Sequence, residues 1–249
     1  MKIITIANHK GGVGKSNTAI NLGASLAMLN RRVLIIDMDP QGNTSRGFGI
    51  DTSLVKHTIF DVLINRFDIN KAIQHTCVEH CSIIPSQLIV ASREENPDDR
   101  YFLLKDSIAL LRKDYDYIII DCPPSLGFLT MNCLAASDSV IIPIQCEYFA
   151  LNAVTQILAK IANVQSKYNP DLAIEGVLLT MYDSESELDN QIAKELQNIF
   201  RENVYGSRIP RSHSIPESNI RGIPVVVYRP SSRASIAYNS LAKELVNEE

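Results

Sequence analysis

The sequence is sparing with cysteine and has no long apolar run. Five cysteines in 249 residues, without regular spacing, exclude a disulfide scaffold. No stretch reaches the ~18 consecutive apolar residues that a membrane-spanning helix needs. The amino terminus, MKIITIANHKGG, lacks the apolar core of a signal peptide and runs straight into a glycine-rich loop. Internal repeats and low-complexity linkers are missing as well. These absences point to a cytoplasmic protein that binds no membrane. A net charge of −4 is not the overall basicity of a nucleic-acid binder. The charge is uneven, however. Between residues 203 and 235, Arg208, Arg211, Arg221, Arg229 and Arg233 stand against a single acid, Glu217. A solvated basic face and a phosphate-binding surface both fit that pattern.

What is present is enough apolar material, 45% of the residues, for a large core. Strand-length apolar runs alternate with segments of helical period, the sign of an α/β fold with a mostly parallel sheet. We expect one doubly wound domain over residues 1–249. Strands are expected at 3–7, 32–36, 82–85, 117–120, 139–142 and 176–181. The apolar runs at 117–120 and 139–142 should be buried on both faces. Helices are expected at 17–29, 103–112, 129–136, 151–167, 188–201 and 235–246. Residues 43–75 and 86–100 are less periodic and stay loosely assigned.

After the first strand comes Asn8-His9-Lys10-Gly11-Gly12-Val13-Gly14-Lys15-Ser16-Asn17, and then a helix. Strand, glycine-rich loop and helix in that order are the context a phosphate loop requires. Glycines let backbone N–H groups converge on phosphate oxygens, and the helix start adds a partial positive charge. Lys15 can reach the β- and γ-phosphates of a nucleotide, and the Ser16 hydroxyl can ligate Mg²⁺. The second strand ends in Asp37-Met38-Asp39-Pro40-Gln41-Gly42-Asn43. Period-two geometry puts Asp37 and Asp39 on one side, at a strand end where ligands of parallel sheets collect. A plain N-capping aspartate before a turn is the other reading. The run 117–120 is followed by Asp121-Cys122-Pro123-Pro124-Ser125, and a carboxylate at a buried strand end downstream of a phosphate loop suits a Mg²⁺-bound water. The group His75, Cys77, His80 and Cys81 has no standard zinc spacing, and Cys122 reads as a small buried residue.

The loop K-G-G-x-G-K-[ST], with Lys10 as its additional lysine, resembles the deviant Walker A motif of the ParA/MinD ATPases. The segments 37–43, 121–127, 144–151, 175–181 and 209–211 extend the resemblance toward the ParA/Soj partition ATPases. The resemblance implies ATP and Mg²⁺ as cofactors, with Lys10, Gly11, Gly12, Val13, Gly14, Lys15, Ser16 and Asn17 on the phosphates. Pro210 would lie against adenine. It makes Lys10, Lys15 and Asp39 the catalytic set. Lys10 would reach the partner subunit's nucleotide in an ATP-dependent homodimer, and Asp39 would orient the attacking water. Asp37 and Asp121 would hold waters of the Mg²⁺. It further implies weak, partner-stimulated ATP hydrolysis, a ParB-like stimulating protein and non-specific binding to nucleoid DNA. Two arginines used on DNA by relatives align with Glu185 and Ser214, and the stretch 183–189 is acidic. Arg221, Arg229 and Arg233 are then the DNA candidates. The alternative is an ATPase of this family that positions or regulates a protein complex without touching DNA. Ser16-Asn17 replaces the family's usual Thr-Thr, and the acidic end of the chain disfavours a MinD-like membrane helix.

Overall fold

The computed structural model describes residues 1–87, 98–125, 127–147 and 150–247. Its strands are β1 (Lys2–Ile6), β2 (Val33–Asp37), β3 (Gln74–His75), β4 (Cys81–Ile84), β5 (Tyr117–Asp121), β6 (Ser139–Gln145), β7 (Ala173–Tyr182) and β8 (Ile209–Pro210). They form one sheet in the order β3-β4-β2-β5-β1-β6-β7-β8. Every neighbouring pair is parallel except β3–β4. The helices are α1 (Lys15–Met28), α2 (Asn43–Gly47), α3 (Ile59–Asn65), α4 (Ile69–Ala72), α5 (Leu103–Ile108), α6 (Phe128–Ala136), α7 (Ala150–Lys167), α8 (Glu187–Phe200), α9 (Ser214–Arg221), α10 (Val225–Tyr228) and α11 (Arg233–Asn247).

The expected α/β architecture follows from where the strand side chains go. On β5, Ile118 and Ile120 enter one core, while Tyr117 and Ile119 enter the other. All residues of β5 are buried, and each fully buried isoleucine contributes about 2 kcal/mol of transfer free energy. One core is closed by residues of α3 to α8. The other is closed by α1, α10 and α11. Strand order reverses around β1, which lies between β5 and β6. Ligand clefts of such sheets open at that reversal, beyond the carboxyl ends of the strands.

Several boundaries differ from the periodicity. The helix expected over 103–112 ends at Ile108. Past it, the Asn70 side chain donates to the Leu110 carbonyl and accepts from the Arg112 N–H, which holds the chain out of the helical path. The strands expected at 139–142 and 176–181 are longer, β6 and β7, because both pair along their length. The loosely assigned 43–75 holds α2, α3, α4 and β3. The start of α3 carries a reciprocal capping box between Thr58 and Asp61, a spacing visible in the sequence. Leu126, Tyr148, Phe149 and residues 88–97, which fall in segments named above, lie outside the described residues.

Candidate functional site

The phosphate loop joins β1 to α1. Gly12 and Gly14 have φ of 78° and 90°, a left-handed backbone that side chains with a Cβ rarely adopt. Gly14 caps α1 without any side-chain hydrogen bond, so the first N–H groups of the helix stay open to an anion. The loop is clamped at both ends. The Asn8 side chain donates to the Pro143 carbonyl and accepts from the Lys10 N–H. The Thr180 hydroxyl of β7 donates to the Val13 carbonyl at 2.8 Å. Lys15 folds back over the loop, its Nζ 3.2 Å from the Lys10 carbonyl. Burial lowers the Lys15 pKa, against the opposing pull of Asp121, Cys122 and Asp39. The Lys10 ammonium is paired with the Glu147 carboxylate, both partly exposed.

Three carboxylates converge beside this loop. Asp37 and Asp121 are register partners at the ends of β2 and β5, and both are fully buried. Asp37 Oδ2 accepts from the Ser45 N–H at 2.8 Å and the Ser45 hydroxyl at 2.6 Å. Its Oδ1 accepts from the Asp39 N–H. Thr44, the preceding residue on α2, donates to Asp121 Oδ2 at 2.6 Å. One short helix thus ties down both acids. Burial, then the charge of Asp121, pushes the Asp37 carboxyl up to about 8. Burial also raises Asp121, to about 6, with Thr44 and Ser16 pulling it back. Asp121 Oδ1 is buried without a hydrogen-bond partner among the described residues. An orphan carboxylate oxygen beside a serine hydroxyl is the hard-oxygen donor set that suits Mg²⁺, which keeps several waters and needs few protein ligands.

A cleft of about 550 Å³ opens on these residues, walled by Gly12, Gly14, Lys15, Ser16, Asp39 and Asn219. Asp39 Oδ1 accepts from the Gln41 N–H, and its other oxygen accepts no hydrogen bond among the described residues. Asp37 stands behind this wall rather than in it. Pro210, at the end of β8, lines a separate cleft of about 530 Å³ with Tyr182, Arg208 and Arg233. Sequence motifs gave no sign of Thr44, Ser45 or Ser86 as site residues. Thr44 and Ser45 directly follow the acidic motif, the one signal that could have found them.

Four of the five arginines of segment 208–233 fall into two groups. Arg208 donates to the Tyr182 hydroxyl at 2.6 Å and lies over its ring, with Arg233 on the same cleft. Arg221 and Arg229 both lie against the Tyr228 ring, 5.2 and 5.4 Å from its centre. Arg229 also pairs with Glu217, the one acid of the segment. Of the acidic stretch 183–189, Asp189, in the first turn of α8, is spent locally, accepting from the Asp183 N–H and the Ser186 hydroxyl. Glu185 is exposed and Ser214 is buried. Among the described residues, no group of three His, Cys, Asp or Glu side chains is arranged to hold a metal, and no helix is long and apolar enough to cross a membrane.

The family model described as "AAA domain" matches residues 1–174, which carry the loop and all three acids. The sporulation initiation inhibitor protein Soj of Bacillus subtilis is 47% identical over 98% of both chains. The chromosome partitioning protein ParA of Myxococcus xanthus is 43% identical, over 100% of this chain and 89% of that one. Among solved structures, cobyrinic acid a,c-diamide synthase from Mycobacterium smegmatis, with bound ATP analog and magnesium, superimposes with a TM-score of 0.86 and 33% identity. It covers 100% of this chain and 95% of its own. An uncapped phosphate loop, acids at the ends of β2 and β5, and relatives of this identity over the full length together make the chain a member of the ParA/Soj family of P-loop ATPases.

Proposed function

We propose that this chain, read as one ATPase domain over residues 1–249, is an ATP-switched partition ATPase. The observation that carries the reading is the shared cleft. The uncapped start of α1, Lys15 and Asp39 all line it. ATP binds with its phosphates on the N–H groups of residues 11–17 and on Lys15. Ser16, and through waters Asp37 and Asp121, would hold Mg²⁺, which would supply charge neutralisation at the phosphates. Asp39 orients the water that attacks the γ-phosphorus, giving ADP and phosphate. The adenine lies toward Pro210.

Lys10 serves the nucleotide of a second copy, so closing the homodimer requires its release from Glu147. The dimer holds nucleoid DNA through Arg221, Arg229 and Arg233, and a ParB-like protein stimulates hydrolysis and release. DNA retention measured with ATP, ADP and no nucleotide tests this reading; retention at low salt is expected with ATP alone. Light scattering should show an ATP-dependent doubling of mass that Lys10→Ala abolishes. If the wild type dimerises with ATP yet never retains DNA, the second reading takes over: an ATPase that positions a protein complex. The exposed Glu185 and the buried Ser214 favour that alternative, because neither can neutralise a phosphate.

A further inference from the structure

We propose that Ser86 is a positioning residue for ATP hydrolysis, holding the peptide of Asp39 so that its carboxylate faces the cleft. This rests on Asp39 as the residue that orients water. Ser86 follows β4 and is fully buried, 47 residues from the acid it serves. Its hydroxyl donates to the Asp39 carbonyl at 2.6 Å. Its N–H donates to the Ser45 hydroxyl at 3.0 Å. Ser45 in turn donates to Asp37 Oδ2, and Asp37 Oδ1 accepts from the Asp39 N–H at 3.2 Å. The four residues close a ring, in which Asp39 is gripped at its N–H by one member and at its carbonyl by another.

The ring is anchored on its outer side. The Ile59 N–H, at the start of α3, donates to the carbonyl of Pro85, the residue before Ser86. The turn after Asp39 packs onto it from inside. The Gly42 N–H donates to the same Asp39 carbonyl at 2.9 Å, and a Cβ at Gly42 would lie 3.6 Å from the Ser86 carbonyl. With its backbone fixed at both ends and Oδ1 taken by the Gln41 N–H, Asp39 has one oxygen left for a water. Buried hydrogen bonds of this kind act on chemistry rather than on binding. They set the direction of a reacting group to within tenths of an ångström, and small misplacements slow the chemical step far more than they weaken affinity.

The test compares full-length wild type with Ser86→Ala, Ser86→Thr and Ser86→Cys, reading ATP turnover and ATP affinity separately. Ser86→Ala should lower kcat about tenfold and leave ATP affinity within about twofold of wild type. Ser86→Thr, which keeps the hydroxyl, should regain most of the rate. In an Asp39→Ala background, Ser86→Ala should cost nothing further, since the group it positions is gone. Should Ser86→Ala fail to fold, Ser86→Cys, of similar volume with a weak donor, carries the same expectation. Wild-type turnover in the alanine or cysteine variant would overturn the proposal. So would equal losses in the alanine and threonine variants, which would mean packing, or a full additive loss on top of Asp39→Ala. If Asp39→Ala itself turns over at the wild-type rate, the reading of Asp39 fails and this inference with it. A slow Asp39→Ala beside a normal Ser86→Ala removes this inference alone.

Discussion

The phosphate loop and the arginine-bearing segment 208–233 are organised on different length scales. In the loop, the constraints on the key groups come mainly from nearby in the chain. Gly12 and Gly14 supply left-handed turns, Gly14 opens the helix, and Lys15 reaches a carbonyl five residues back. In the arginine segment, part of the positioning comes from distant residues. Arg208 is set by Tyr182, 26 residues away. Arg229 is set by Glu217, and α10 is docked by a hydrogen bond from the Val225 N–H to Asn21, 204 residues away. The two regions meet on one helix. Asn17, Asn21 and Ser25 recur every four residues along α1 and bond to Asn219, Val225 and Asn239. A side chain every fourth position lies on one face of a helix, so α1 carries the phosphates' cradle at its tip and the arginine segment along its side. A local motif tolerates no substitution at its few key atoms, whereas a surface assembled from scattered charges should lose function in increments.

The largest expected effect breaks the local side of that contrast. Lys15→Ala removes the in-loop cation and should weaken ATP binding by about 100-fold or more, measured by calorimetry. Unchanged affinity would sink the assignment of the cleft. The incremental side is next. Replacing Arg221, Arg229 and Arg233 by Ala should weaken ATP-dependent DNA retention at moderate salt by about tenfold or more, and flatten the plot of log affinity against log salt by about 0.9 for each phosphate no longer neutralised. ATP hydrolysis without DNA should stay near normal in the Arg221→Ala/Arg229→Ala variant, which leaves the cleft beside Pro210 intact. Equal retention by the triple variant would show that the DNA surface lies elsewhere.

The smallest effect concerns the buried acids beside the loop. Asp37 is raised to about 8, so the folded, ligand-free protein keeps a proton that the unfolded chain releases above about pH 4. Stability contributed by that proton is present at low pH and declines as pH rises from about 4 to 8. Asp37→Asn should therefore flatten the fall of Tm between pH 5 and 8, at about 2–4 °C for each kcal/mol in a chain of this size. Identical slopes for the two proteins would mean that Asp37 holds no such proton.

The strongly periodic parts of the fold were legible beforehand. The apolar runs that became β5 and β6 could only be buried strands, and glycines before Gly-Lys-Ser at a helix start could hardly be anything but a phosphate cradle. Other parts resisted reading for physical reasons. The early end of α5 depends on Asn70 bonding a backbone 40 residues away, which leaves no local trace. Short α2 has no helical period to detect, yet it carries Thr44 and Ser45. The capping box of α3 was there to be read and was overshadowed by weak periodicity.

By itself, then, the sequence determined the alternation of strands and helices, the loop backbone and the identity of the three acids, since these depend on neighbours within a few residues. Tertiary structure alone decided which acid faces the cleft, that Ser45 and Ser86 lock Asp37 and Asp39 in a ring, and that Arg229 pairs with Glu217. Those outcomes depend on which strand ends and helices are brought side by side, and hydrogen bonds across such junctions have no period and no spacing along the chain.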